Sequence, residues 1–151
     1  MLSSFSRFAV RWFAPITLSF LVVGPTANAV SAKVPPADAR AIEQVIHDQI
    51  AAFARDDAKR AFAHAAPDIR RMFGDPDEFL RMVRDAYAPV YRASAIYFVK
   101  LEAIDGSVFQ TVQLADAEGR IWLARFTMRR QPDKSWKVGG CELVPTRSLA
   151  T

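Results

Sequence analysis

The carboxy-terminal third of the chain, residues 94–144, reads SAIYFVKLEAIDGSVFQTVQLADAEGRIWLARFTMRRQPDKSWKVGGCELV. Apolar side chains recur here with a period of two, which is typical of β-strands. Three short turn signals interrupt the pattern, at Asp105-Gly106, Glu118-Gly119 and Pro132-Asp133. Because turns this short join antiparallel neighbours, the stretch predicts a four-stranded antiparallel sheet. The predicted strands are 94–103, 107–116, 120–130 and 135–144.

The residues before this stretch have a helical period instead. A first helix, capped by Asp38, has its apolar side chains on one stripe at about 100° per residue. A shorter helix is predicted from Ala58 to Ala66, closed by Pro67. A third begins at Asp75-Pro76, where a capping aspartate precedes a proline at the first helical position. Three helices followed by an antiparallel sheet predict an α+β fold with the helices on one sheet face.

Residues 1–29 have the pattern of an export signal. Arg7 and Arg11 precede an apolar run, and Ala27-Asn28-Ala29 is a small-x-small cleavage pattern. The run is shorter than the about 20 apolar residues that a transmembrane helix needs. We therefore expect cleavage after Ala29, a periplasmic or secreted protein, and no membrane association afterwards. The rest divides into a flexible lead-in at 30–37, a single α+β domain at 38–147 and a tail at 148–151.

The charge pattern argues against a nucleic-acid partner. Removing Arg7 and Arg11 with the signal lowers the net charge from +4 to +2. The remaining basic doublets, Arg70-Arg71 and Arg129-Arg130, are separated by acidic or apolar residues rather than joined into a basic stripe. Cys141 is the single cysteine, so no intramolecular disulfide can form.

Several sequence motifs in the helices and the last strand carry a family resemblance. They are Ile46-x-x-Gln49-Ile50-x-x-Phe53, Phe73-Gly74-x-Pro76-x-x-Phe79, Met82-Val83-Arg84-x-x-Tyr87, Pro89-Val90-Tyr91-Arg92 and Trp136-Lys137-Val138-x-Gly140-Cys141-x-Leu143-Val144. With these motifs the chain resembles the bacterial "domain of unknown function 4864" family over residues 38–147. The resemblance implies no activity and no functional residues. It does imply three helices on a curved sheet, similar to the nuclear-transport-factor-2-like cone, a cystatin-like architecture whose superfamily includes isomerases and dehydratases.

Polar residues inside the apolar stripes are the candidate site. Gln49 lies within the stripe of the first helix, and Gln110 shares a strand face with apolar neighbours. Tyr87, Tyr91 and Tyr97 surround the junction between helices and sheet. A buried polar group must be satisfied, and two interpretations meet this requirement. One is that these five side chains line one cavity between helices and sheet. The alternative is that each amide bonds a backbone group and each tyrosine packs in the core with its hydroxyl bonded.

No pattern in the chain indicates catalysis. Nucleophile elbows, phosphate loops and metal-ligand spacings are absent from the sequence, and His47, His64 and Cys141 fall on three different predicted elements. We therefore expect no catalytic residue, no metal and no cofactor. A buried Glu102, Asp116 or His64 facing the cavity would instead favour acid–base catalysis.

The third strand is apolar on both faces, although helices can cover only one. We assign Phe126 to the core and Leu123 to the opposite face, which predicts a homodimer built sheet to sheet. The function that these patterns favour is an exported, non-catalytic module that binds a small apolar or amphipathic ligand or a protein partner. The alternative is a pocket enzyme of isomerase or dehydratase type that uses acid–base chemistry.

Overall fold

A computed structural model describes residues 33–146 of the chain; the predicted signal peptide, the start of the lead-in and the tail lie outside this range. The described residues form an α+β fold, with helices first and a four-stranded sheet second, as predicted. The helices are α1 (Pro36–Ala54), α2 (Ala58–Ala63), α3 (Pro67–Phe73), α4 (Pro76–Ala86) and α5 (Ala88–Tyr91). The strands are β1 (Ala95–Ile104), β2 (Ser107–Ala115), β3 (Ile121–Arg130) and β4 (Trp136–Pro145).

The sheet confirms the strand prediction, with every predicted bound within one residue of the observed one. The order is β1-β2-β3-β4, and all three pairs are antiparallel. Asp105 and Gly106, at φ 49° and 77°, form the tight turn between β1 and β2. Two consecutive left-handed residues suit the twist of a two-residue hairpin, which explains the preference for Asp-Gly.

The helices differ from the prediction in number, in the start of α1 and in the end of α2. α1 begins at Pro36, so Asp38 lies within its first turn and is not its cap; the Asp38 carboxylate accepts a hydrogen bond from Trp136 Nε1 at 3.1 Å. α2 ends at Ala63 rather than at Ala66, and Pro67 starts α3, which was not predicted. Proline suits a helix start because the first N–H has no partner within the helix. The short α5 was not predicted either.

The start of α4 confirms its predicted cap. Asp75 Oδ1 accepts hydrogen bonds from the backbone N–H groups of Asp77 and Glu78, at 2.8 and 3.1 Å. These bonds satisfy donors that have no carbonyl partner in the first turn of the helix. The cap therefore fixes where α4 begins. Among residues 33–146, no helix combines the length and the apolar composition required to cross a bilayer.

Burial alternates along β2 and β3 and defines two sheet faces. On the covered face the side chains are buried beneath the helices: Gln110, Val112, Leu114, Ala124, Phe126 and Met128. On the open face every side chain of β2 and β3 is partly or fully exposed: Ser107, Phe109, Thr111, Gln113, Ala115, Ile121, Leu123, Arg125, Thr127 and Arg129. Phe126 is 1% exposed, so its assignment to the core is confirmed.

Candidate functional site

A cavity of about 40 Å³ lies between the helices and the covered face. Its walls are mainly apolar and include Phe53, Met82 and Phe126, while Gln49 and Tyr87 contribute polar atoms. A single water needs about 10–15 Å³ of such volume. The cavity therefore has room for two or three waters or for a ligand of a few heavy atoms.

Gln49 lines this cavity, as predicted, and its amide is also bonded to the backbone. The residue is 2% exposed in the buried stripe of α1. Its Nε2 donates a hydrogen bond to the Ala61 carbonyl at 3.0 Å, which ties α1 to α2. The same carbonyl also accepts the His64 N–H at 3.2 Å. Gln49 thus has the structural bond that the alternative interpretation required.

Tyr87 lines the cavity from the junction of α4 and α5. Its hydroxyl donates to the Cys141 carbonyl at 3.2 Å, which ties the helices to β4. Burial, and then the neighbouring Glu142 carboxylate, raise the pKa of the Cys141 thiol. A thiol held in its neutral form is a weak nucleophile, since the thiolate is the reactive species. Cys141 therefore acts as an apolar wall group.

The other two tyrosines do not line this cavity, so the structure does not bring all five candidate residues together there. Tyr91 lies at the protein surface, where its hydroxyl donates to the Asp56 carboxylate and accepts from Arg92 Nη2 at 2.8 Å. Hydrogen bonds from Tyr91 and then from Arg92 lower the pKa of Asp56. Tyr97 is 62% exposed on β1, because its register partner Gln113 belongs to the open face.

Gln110 is also absent from the cavity lining, although it is buried on the covered face as its pattern predicted. A bulge in β1 between Phe98 and Lys100 shifts the register beside it. Gln110 Nε2 donates to the carbonyls of Lys100 and Thr111, at 3.1 and 2.9 Å. Its buried Oε1 has no hydrogen-bond partner. The amide thus satisfies carbonyls at the bulge and does not line the cavity, although its cross-strand partner Phe126 does.

The three candidates for acid–base catalysis also lie outside the cavity. Glu102 forms an ion pair with Lys100 at 2.7 Å, and His64 ends α2. Asp116 is 5% exposed at the end of β2. None of the three lines the cavity. Within residues 33–146, no three His, Cys, Asp or Glu residues are placed to hold a metal ion.

The Asp116 carboxylate is fully engaged by its neighbours. Its oxygens accept bonds from Trp122 Nε1 at 3.0 Å and from Arg120 Nε at 2.7 Å, together with two backbone N–H groups. Burial alone would raise the pKa of Asp116, but these bonds from Trp122 and Arg120 lower it to about 2. A carboxylate held ionised and saturated with donors is unsuited to proton transfer near neutral pH. Asp116 is therefore a structural group.

The structure also contains a basic groove between α2 and α3, lined by Lys59, Phe62, Arg70 and Arg71. The sequence does not predict it, because Pro67 starts a helix where only a helix end was expected. The Arg70-Arg71 doublet is the signal that could have indicated it, once a helix beginning at Pro67 was assumed.

The open face brings four side chains together in each row across the sheet. One row runs Tyr97, Gln113, Leu123 and Val144. The next runs Lys100, Thr111, Arg125 and Glu142. Tyr97 and Val144 are among the large apolar residues that the structure leaves exposed. Apolar groups thus lie beside charges of both signs.

Comparison with protein families gives a match over most of the chain. The model of the family described as Domain of unknown function (DUF4864) matches residues 35–151. No curated protein and no solved structure matches the chain significantly. The similarity to the nuclear-transport-factor-2-like cone therefore stays a prediction.

Proposed function

The chain belongs to the Domain of unknown function (DUF4864) family, and from the geometry of its sheet we propose that it is an exported, non-catalytic binding module that pairs through the open face. The observation that carries this proposal is the row Tyr97, Gln113, Leu123 and Val144, which spans all four strands and in which Tyr97 and Val144 are exposed and Gln113 and Leu123 partly exposed. Apolar side chains that one face of a sheet leaves open to solvent are characteristic of protein contacts. The occupant we propose is a second copy of the same chain.

The order of charges on the open face supports a two-fold pairing. In the row Lys100, Thr111, Arg125 and Glu142, the two ends carry opposite charges. A two-fold axis parallel to the strands, between β2 and β3, would stack β1 of one copy on β4 of the other. Lys100 then faces the partner's Glu142, and Tyr97 faces the partner's Val144. Packed sheets keep their strands within about 30° of parallel, so these facing positions stay close.

Glu142 is suited to such a contact because it has no ion pair within residues 33–146. A carboxylate on a partly apolar surface gains from a cation supplied across an interface, which gives specificity and fixes the register. In a symmetric dimer the contact occurs twice. Each charge on this row therefore contributes twice to the free energy of dimerisation.

Charge reversal tests this pairing. Glu142→Lys places two like charges opposite each other in each half of the interface, and we expect the dimer dissociation constant to rise by about tenfold. The double variant Lys100→Glu/Glu142→Lys restores the opposite charges across the interface and is expected to recover part of the loss, because Lys100→Glu also breaks the ion pair with Glu102. Sedimentation equilibrium measures both constants.

Glu43→Lys is the matched control, because Glu43 is exposed on α1 and away from the sheet. It makes the same change in net charge and is expected to leave dimerisation unaltered. If the double variant dimerises no better than Glu142→Lys, the proposed pairing is wrong. If Glu43→Lys weakens the dimer equally, only net charge matters.

The export part of the proposal is supported by the sequence of residues 1–29. Arg7 and Arg11, the apolar run and the Ala27-Asn28-Ala29 pattern are the three parts of a cleavable signal. The protein isolated from its native host should begin at Val30 and occur in the periplasmic or secreted fraction. Intact-mass analysis that finds Met1 retained in a membrane-bound form would contradict this.

A small apolar or amphipathic ligand in the cavity is the second candidate function. The observation that favours it is the apolar lining with Gln49 and Tyr87 at one cavity. Its size of about 40 Å³ limits such a ligand to a few heavy atoms, well below the about 300 Å³ of common small-molecule sites. Acid–base catalysis is less well supported, since Glu102, Asp116 and His64 do not line the cavity.

A further inference from the structure

The groove between α2 and α3 differs from the cavity in size and in charge. Its volume is about 430 Å³, and cations from both helices line it: Lys59 from α2, and Arg70 and Arg71 from α3. Phe62, Ala63 and Pro67 supply the apolar part of the lining, and no acidic side chain contributes. The groove is therefore a wide surface depression, largely open to solvent, whose lining carries a single sign of charge.

Core packing explains why these cations point outward. Ala61 in α2 and Ile69 in α3 are almost completely buried, at 0% and 2% exposure. Successive helical residues are turned by about 100° from each other, so Arg70 and Arg71 lie away from the buried side of α3. Phe62 is held in place at the groove because its ring packs against Phe79, with centroids 5.5 Å apart.

No neighbouring carboxylate neutralises this charge. Lys59, Arg70 and Arg71 form no ion pair with any acidic residue in the described range 33–146. Asp57, the nearest acid before Lys59, instead caps α2 by accepting the Arg60 N–H at 3.1 Å. Three cations lined up without counterions attract an anion from solution.

A neighbouring lysine adds to the positive potential. Lys137 Nζ donates to the carbonyl of Ala63, a lining residue, at 2.7 Å. Burial first, and then the charge of Lys137, lower the pKa of His64 at the end of α2. Because burial is the main cause of this shift, His64 adds no charge to the groove.

We propose that this groove binds an amphipathic organic anion. A carboxylate or phosphate of the ligand lies against Lys59, Arg70 and Arg71, because hydrogen bonds between ionised groups are stronger than those between neutral groups. An alkyl or aryl portion of the ligand lies on Phe62 and Pro67, which an inorganic anion would leave unused. This site is independent of the open face and would exist in a monomer as well as in a dimer.

Calorimetric titration with octanoate tests the proposal. Octanoate is expected to bind, inorganic phosphate to bind more weakly because it lacks an apolar portion, and octyltrimethylammonium not to bind. Added salt should weaken octanoate binding, because exposed charges are screened. In NMR spectra the backbone amides of α2 and α3 should shift most. Equal binding of octanoate and its cationic analogue would overturn the proposal, as would binding to anionic vesicles without any binding of octanoate.

The triple variant Lys59→Gln/Arg70→Gln/Arg71→Gln is expected to weaken octanoate binding by about tenfold. All three side chains are exposed, so the variant should keep the wild-type thermal midpoint and spectrum.

A second triple variant, Lys33→Gln/Arg40→Gln/Lys134→Gln, is the matched control, because it removes the same charge at exposed positions outside the groove. Its affinity for octanoate should equal that of the wild type. An equal loss in both triple variants would show that net charge alone drives the binding, and the groove would not be the site.

Discussion

The covered and open faces of the sheet use the same strands, β2 and β3, yet their side chains meet different demands. Phe126 is 1% exposed beneath the helices, whereas Leu123 is partly exposed on the other face. Core packing constrains the covered face, because a buried side chain must fit in volume and leave no polar group unsatisfied. The open face has no such constraint within residues 33–146. Packing within one copy does not account for the apolar residues on this face, and we infer that they contact a second copy of the chain.

Arginine substitutions on the two faces should separate fold from assembly most strongly. Phe126→Arg removes core packing worth about 3–5 kcal/mol and buries an unpaired charge as well. Since domains are stable by only about 5–15 kcal/mol, we expect this variant to be unfolded. Leu123→Arg places the charge on the open face and should yield a folded monomer. Circular dichroism and NMR dispersion report folding. A folded Phe126→Arg protein would show that the two faces have been assigned the wrong way round.

Gln49→Leu should have a smaller effect, confined to the covered side. The substitution removes the hydrogen bond to the Ala61 carbonyl. Because that carbonyl keeps its bond from the His64 N–H, we expect a loss of about 1 kcal/mol and a thermal midpoint lower by a few degrees.

Gln44→Leu on the same helix is the matched control. Gln44 is exposed, and its Nε2 donates a hydrogen bond to the Asp48 carboxylate within α1. Its thermal midpoint should change no more than that of an ordinary surface substitution, which alters stability by about 0.5 kcal/mol or less. An unchanged or raised midpoint in Gln49→Leu would instead indicate that the Gln49 amide serves a ligand.

The last expected effect appears only at acidic pH and concerns the charge buried at the end of the covered face. The pKa of Asp116 is lowered to about 2 in the folded state, below the value of 3.8 for an unperturbed aspartate. Its ionised form therefore stabilises the fold above about pH 4, and this contribution disappears as the pH falls towards 2. Asp116→Asn should show a flatter dependence of the urea midpoint over this interval.

Asp133→Asn is a useful comparison, because hydrogen bonds from Ser135 also lower the pKa of Asp133, although it is exposed in a turn. Its removal should flatten the profile less than Asp116→Asn does. Equal profiles for Asp116→Asn and the wild type would contradict the assignment of Asp116 as a structural carboxylate.

The sequence predicted the sheet more closely than the helices, and the reason is physical. Alternation along a strand directly reports which face is buried, and Asp105-Gly106 marks a turn that few other residues allow. Proline is less informative, because it is compatible with a helix start as well as with a helix end. Pro67 starts α3 but was interpreted only as a helix end, so neither α3 nor the basic groove was predicted.

The candidate cavity was predicted only in part, because periodicity gives the face of a side chain but not which side chains on that face border a cavity. Gln49 and Gln110 both face the core, as predicted, but only Gln49 reaches the cavity. The bulge beside Lys100 explains where the Gln110 amide goes, and a bulge leaves no clear mark in the sequence. Tyr97 lies on the open face of the sheet, so its hydroxyl does not line the cavity with that of Tyr87.

Sedimentation equilibrium of the wild-type protein, from low to high micromolar concentration, tests the central claim most directly. If the open face is an interface between two copies, the wild type should sediment as a dimer, and Leu123→Arg should sediment as a folded monomer at the same concentrations. A wild-type protein that stays monomeric at high micromolar concentration would contradict the claim.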